Sequence, residues 1–366
     1  MFDFVRYLKE QYKFDYNFKK LTIYGMDDDI VKIITDNGVM YPKYKDGNLS
    51  YSLTSKMFKL TYDFMQEQDK KFIYIVEETE GYWYDFNHHI SIHKSCKENG
   101  ISTDKVLFLN GNLRQDYEYI YSVWYFMHRL KKILQNKLPW VSDRGIEFGV
   151  VDFTEDKEKI YNCFNHSEHI HRTMVYDLLK ENNLLDYGYV SYRAKGIYLP
   201  EEVEYVTSLE SPDIMINEFE KCDISYGAFN PKVTSKTYFN VVTETHFELE
   251  DLFITEKTCK ALISQPFIVV GNYGTIEYLN ENGFETYPEM FDESYDLIED
   301  HNKRLEFIID EVKRLCHMDK SELQKIYESV LWKVEHNRNI VMNWKDDEFL
   351  EELKDRHIGF PDHQSF

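Results

Sequence analysis

Short apolar runs recur along this chain, most of them closed by Gly, Asn or an acidic residue, and they alternate with stretches of helical spacing. Residues 21–24 (LTIY), 71–76 (KFIYIV), 106–109 (VLFL), 159–164 (KIYNCF), 188–192 (GYVSY), 237–243 (TYFNVVT) and 267–270 (FIVV) read as strands. Residues 146–153 and 284–287 look strand-like too. Helical spacing is found in the first twenty residues (Phe4, Tyr7, Leu8, Tyr12), over 117–135 and over 173–182. It returns over 275–282, where Gly283 supplies a helix stop, over 294–316, and over 320–335 behind a capping-box start at Ser321. Strand–helix alternation of this kind predicts an α/β fold built on doubly wound sheets.

A length of 366 residues exceeds one ordinary core and predicts two domains. The boundary is expected in the charged stretch after residue 150: a first domain over 1–155, a second over 156–335, and a charged C-terminal strap over 336–366 packing back on the first. No apolar run is long enough for a membrane span, and the charged N-terminus lacks a signal-peptide core. Five scattered cysteines without a CxxC pair argue for a reducing compartment and against structural zinc. A cytoplasmic protein without a membrane partner is expected.

Charge changes this picture. The net charge is −22, yet residues 1–150 carry 21 basic and 21 acidic side chains, and residues 151–366 carry 22 and 44. The two halves therefore suit different binding tasks, and the neutral first half does not exclude a polyanion.

Candidate chemistry sits at strand ends and helix starts, where open α/β sheets bind ligands. Glu77 and Glu78 follow a strand and precede an aromatic stretch (Tyr82, Trp83, Tyr84) with His88 and His89. They read either as general bases for a hydroxyl acceptor or as a surface acidic turn. Asp27-Asp28-Asp29 reads as a cap cluster before a helix at 30–34 rather than a metal-holding DxD, because no long buried strand precedes it. His166, His169 and His171 lack the spacing of a metal site. With Arg172 they precede a helix, where His171 and Arg172 are expected to meet a phosphate, and Arg193 and Lys195 follow a strand as further cations. The densest pattern is 238–271: a strand ending at Glu244, an acidic loop, then Thr255-Glu256-Lys257 at a helix start and a second strand behind Pro266. Lys257 suits phosphate charge and Glu256 suits a ribose diol. Glu244 suits the transferred sugar or an oxocarbenium-like centre.

This stretch resembles the donor region of fucosyltransferase-like GT-B glycosyltransferases. It is closer still to glycosyltransferases of tailed bacteriophages, through Ile254 to Thr258, Pro266 to Gly271, Leu279, Gly283 to Tyr287 and Asp292 to Asp296. The resemblance covers roughly residues 158–316 and leaves the first 150 unmatched. It implies two Rossmann-like domains facing each other across a cleft and transfer from a nucleotide-sugar co-substrate. Glu256, Lys257 and Thr255 would bind the nucleotide and Glu244 would face the sugar. Relatives tend to be arginine-rich before His-Arg, whereas His166, Ser167 and His169 stand there in this chain. No cofactor or metal is expected. The resemblance makes a hydroxylated or hydroxymethylated pyrimidine in phage DNA, in the host cytoplasm, the expected acceptor. A saccharide acceptor and a non-catalytic nucleotide-sugar-binding protein are the alternatives.

Overall fold

The computed structural model describes residues 17–26, 30–35, 38–40, 72–78, 96–98, 106–114, 120–127, 130–131, 151–165, 167–197, 231–248 and 251–344. They form a mixed α/β protein and fall into two compact units, one within 2–125 and one within 126–344.

The first unit holds a six-stranded sheet in the order β3-β2-β1-β4-β5-β6. Its strands are β1 (Asn17–Met26), β2 (Ile30–Thr35), β3 (Gly38–Met40), β4 (Phe72–Glu78), β5 (Val106–Asn110) and β6 (Ile120–Ser122). β1, β4, β5 and β6 run parallel, whereas β2 and β3 form antiparallel pairs on the outer side of β1. The helix expected at 30–34 is therefore a strand, because the β-branched residues of IVKIIT suit ladder pairing with 22–26. Asp27, Asp28 and Asp29 lie outside the described residues. The long helix expected over 117–135 instead begins with β6, and helical geometry is seen at 125–127 and 130–131.

The second unit holds a four-stranded, fully parallel sheet in the order β10-β9-β7-β8. Its elements in chain order are β7 (Tyr161–Asn165), α1 (Ile170–Glu181), β8 (Gly188–Tyr192), α2 (Pro231–Ser235), β9 (Phe239–Thr243), α3 (Glu256–Leu262), β10 (Phe267–Val270), α4 (Thr275–Glu281), α5 (His301–Cys316) and α6 (Lys320–Asn343). Every residue of β10 is buried, as a strand covered on both faces requires. Crossovers between parallel strands are right-handed, and β8 and β10 lie on opposite sides of the β7–β9 pair. Their connecting helices must then cover opposite faces: α1 packs with α5, and α3 packs with α6. Gly188 opens β8 against the ring of Tyr161, where a Cβ would come within 2.5 Å of Tyr161 Cζ.

Three expectations in this unit need correction. Residues 284–287 form no strand among the described residues; the Asn337 side chain takes both polar groups of Glu285 (2.9 Å to its N–H and 2.9 Å to its carbonyl) and replaces a ladder. The helix expected over 294–316 is split. A 3-10 segment (Glu293–Leu297) precedes Asp300, whose carboxylate accepts from Lys303 N at 3.0 Å and starts α5. Asp319, rather than Ser321, caps α6, accepting from Ser321 N and Glu322 N at 2.9 and 3.2 Å.

Candidate functional site

The chain leaves β7 for β8 on one side and later returns to place β9 and β10 on the other, so the direction of winding reverses between β7 and β9. Loops leaving the carboxyl ends of such a pair diverge and leave a crevice. The ladder accentuates this: β7 and β9 pair only at Tyr161–Phe239 and Asn162–Asn240. Beyond those pairs a side-chain bond, Thr243 Oγ1 to Asn165 Oδ1 at 2.5 Å, spans the strand ends.

Glu244 sits on this edge and is 1% exposed. Its Oε1 accepts from Thr255 N (3.0 Å), Thr258 N (3.2 Å) and Thr258 Oγ1 (2.5 Å). Its Oε2 accepts from Thr255 Oγ1 (2.5 Å) and Thr245 N (3.2 Å). The carboxylate thus anchors the first turn of α3 to the end of β9. With five donors already on it, Glu244 holds other site residues in place and has no lone pair left for a sugar. At Gly271 a Cβ would come within 2.9 Å of Val269 Cγ1, while Glu244 Cβ would stand at an ordinary contact distance of 3.5 Å.

Thr255 caps α3, its Oγ1 accepting from Lys257 N at 3.4 Å. Lys257 Nζ lies 3.0 Å from each of Thr255 Oγ1, Thr245 Oγ1 and Glu256 Oε1, and the side chain keeps 27% exposure. Burial pushes the Glu256 carboxyl up, but the Lys257 and Lys260 charges and the Lys257 hydrogen bond outweigh it and hold the group at about 2. Glu256 is therefore an anion at neutral pH, its Oε1 accepting from Lys257 Nζ and its carboxylate also from its own backbone N–H. Lys260, one turn further along α3, is half-buried and acts on Glu256 through its charge, and its Nζ makes no hydrogen bond among the described residues.

Across the crevice, α1 contributes His171 and Arg172, each 4% exposed. Arg172 Nη2 donates to the Glu244 carbonyl (3.2 Å) and Nη1 to the Ser167 carbonyl (3.3 Å), while its buried Nε has no partner. His171 Nε2 lies 2.9 Å from the same Glu244 carbonyl. Burial, assisted by the Arg172, His169 and Lys257 charges, pushes His171 down to about 3 against the pull of that bond. This corrects the cationic role expected for His171: a neutral imidazole does not meet phosphate as a charge. Arg172, Glu244, Thr255, Glu256 and Lys257, which the sequence separates by up to 85 positions, are thus brought to one edge of the sheet.

No family model, curated protein or solved structure matches this chain. Its chemistry is accordingly read from the crevice itself. Two cations, Lys257 and Lys260, stand on the α3 side, a guanidinium stands on the α1 side, and a carboxylate held ionised on α3 interacts electrostatically with all three. That set suits a phosphate-bearing ligand with a hydroxylated neighbour.

Other candidates fall elsewhere. Glu77 and Glu78 are the last two residues of β4 and stand in register with Leu109 and Asn110 of β5. Arg193 opens a 3-10 turn after β8, and its side chain, like residue 166, lies outside the described residues. No group of His, Cys, Asp and Glu fit to hold a metal is found among the described residues. No helix among them is long and apolar enough to cross a membrane.

Two features escaped sequence reading. Lys260 was detectable, being four positions after Glu256 and so on the same helical face. The buried chain His246–Asp251–Asn272 was not. His246 Nδ1 lies 2.7 Å from Asp251 Oδ2, Asp251 Oδ1 accepts from Asn272 Nδ2 at 2.9 Å, and Asn272 Oδ1 accepts from Phe253 N at 3.2 Å. It braces the loop after β9, and loop spacing carries no periodic signal.

Proposed function

We propose that this protein is a nucleotide-sugar-dependent glycosyltransferase whose donor occupies the crevice between β7 and β9. The observation that carries the reading is the joining of Arg172, Lys257, Lys260 and the ionised Glu256 at a topological switch point. In this reading Arg172 and the two lysines stabilise the charge that develops on the departing phosphate oxygen. Glu256 accepts from ribose hydroxyls through its carboxylate, and Glu244 and Thr255 keep Lys257 aimed. Cationic side chains supply the charge stabilisation without a step routed through metal.

The GT-B-like arrangement belongs to the same proposal: a donor domain over 156–335, an acceptor domain over 1–155, and a cleft between them. Glu77 or Glu78, at the carboxyl end of a strand inside a parallel block, is proposed to take the proton from the acceptor hydroxyl. The favoured acceptor is a hydroxylated or hydroxymethylated pyrimidine in DNA, flipped from the duplex to reach the donor. The neutral charge balance of residues 1–150, within a chain of net charge −22, supports an acceptor domain that tolerates a polyanion.

The test is incubation of purified protein with a panel of nucleotide sugars and with hydroxymethylated, hydroxylated and plain DNA or oligosaccharides, read by nucleoside and glycan mass spectrometry. Sugar transfer that Lys257→Met lowers by about 100-fold or more supports the reading, a loss of about 3 kcal/mol of charge stabilisation. Product on saccharide alone moves the acceptor to that class. Absence of both nucleotide-sugar binding and turnover refutes the proposal.

A further inference from the structure

Among the described residues of the crevice, His171 has a ring nitrogen that the charge pairing leaves unused. Its Nε2 lies 2.9 Å from the Glu244 carbonyl oxygen, which only accepts, so Nε2 must carry the proton. The same carbonyl receives Arg172 Nη2, which places a permanent cation beside the ring. The charged and titratable groups that face the imidazole are His169, the capping residue before α1, Arg172 from α1 and Lys257 from α3; the segment after β9 contributes the Glu244 carbonyl and the apolar ring of Phe247, 5.5 Å away. None of these is an anion able to stabilise a second proton. The ring is therefore the neutral tautomer with hydrogen on Nε2, and Nδ1 is a bare acceptor. Nδ1 has no hydrogen-bond partner among the described residues and, unlike Arg172 Nε, is not one of the enclosed polar atoms.

We propose that His171 recognises a hydroxyl of the nucleotide sugar through Nδ1 as acceptor, leaving the anionic part of the ligand to Arg172 and Lys257. The inference rests on the donor-site reading above and assigns a specificity role within it. An acceptor among cations separates two parts of a ligand: it repels a phosphate oxygen and rewards a hydroxyl, so it fixes which end of the donor lies against α1.

The experiment uses the full chain, with UDP-glucose, GDP-mannose and inorganic pyrophosphate as probes, measured by calorimetry at pH 7.5. His171→Gln keeps a donor within reach of the Glu244 carbonyl and removes the Nδ1 acceptor; His171→Asn keeps an acceptor near Nδ1. For whichever nucleotide sugar binds, His171→Gln is expected to weaken affinity about tenfold, the value of one neutral hydrogen bond, and His171→Asn to stay within about threefold of the parent. Pyrophosphate affinity is expected to stay within about twofold in both. A second arm needs no variant: between pH 8 and 5.5, parent affinity for the nucleotide sugar is expected to change less than about twofold. Tightening of about tenfold at pH 5.5 that His171→Gln abolishes would make His171 a phosphate-binding cation and overturn the inference. Equal weakening of pyrophosphate and nucleotide sugar, or no weakening of either, would also overturn it. Failure of all three probes to bind the parent protein removes the donor-site reading, and this inference with it.

Discussion

Replacing Glu244 with Gln isolates the role of the carboxylate clamp. The substitution keeps shape and volume but turns one oxygen into an NH2. If that group replaces Oε1, the backbone N–H groups of Thr255 and Thr258 both lose their acceptor. If it replaces Oε2, Thr245 N loses its acceptor, and the Thr255 hydroxyl must turn although Oγ1 already accepts from Lys257 Nζ at 3.0 Å. The second orientation is the cheaper. It forfeits two bonds to an ionised acceptor at about 1.5–3 kcal/mol each, less the part recovered by the amide, for a net loss of about 2–4 kcal/mol. For a unit the size of residues 126–344, that corresponds to a fall in melting temperature on the order of 10 °C. Differential scanning calorimetry reads the stability, and titration with pyrophosphate reads the site. Both should fall together, because α3 carries Lys257. A Glu244→Gln protein that melts within 1–2 °C of the parent, by the same conversion, while losing nucleotide-sugar but not pyrophosphate affinity would refute the clamp and return Glu244 to direct contact with the sugar.

Other consequences are separately measurable. Gly188→Ala would bring its methyl carbon within 2.5 Å of the Tyr161 ring, and urea denaturation should show a loss of about 2–3 kcal/mol. Asp251→Ala removes the acceptor of both His246 Nδ1 and Asn272 Nδ2 inside a fully buried site, and a loss of about 3 kcal/mol is expected by the same method. Burial pushes the Glu293 carboxyl up from 4.5 to about 7, against the bonds from Thr286 Oγ1 and Tyr287 N. A raised acid binds its proton more tightly folded than unfolded, so its contribution is full below pH 4.5 and is lost as pH rises through 7. The swing is about 3 kcal/mol at most, and Glu293→Gln should flatten stability between pH 5 and 8.

Where the sequence signal is periodic or punctuated, it translated well into structure. Gly188–Tyr192 and Phe267–Val270 form strands over the residues whose apolar runs predicted them, and Thr255 caps α3 where a Thr-Glu-Lys start suggested a helix. The misreadings share a cause, which is a remote partner replacing a local preference. Ile30–Thr35 became a strand because β1 offered it an edge, and residues 284–287 lost a ladder because Asn337, some fifty positions away, satisfies Glu285 instead. The crevice was legible as a set of residue types but not as contacts. Nothing along the chain announces that His171 and Arg172 share one carbonyl with each other, or that Glu244 spends its carboxylate on three threonines.

Residue 244 contributes two acceptors to opposite sides of the crevice, and they differ in heritability. The carboxylate that grips α3 is encoded by the codon for Glu, but the oxygen that gathers His171 and Arg172 belongs to the main chain. No coding change at 244 deletes that oxygen. A mutational scan would therefore score this position by its hold on α3 alone and remain blind to the joint with α1. At residue 244 itself, weakening the joint takes backbone chemistry, such as an ester in place of the Glu244–Thr245 amide, which makes the carbonyl a poorer acceptor and also removes the Thr245 N–H that Oε2 accepts. Half of the site's architecture is thus insulated from drift at the residue that supplies it.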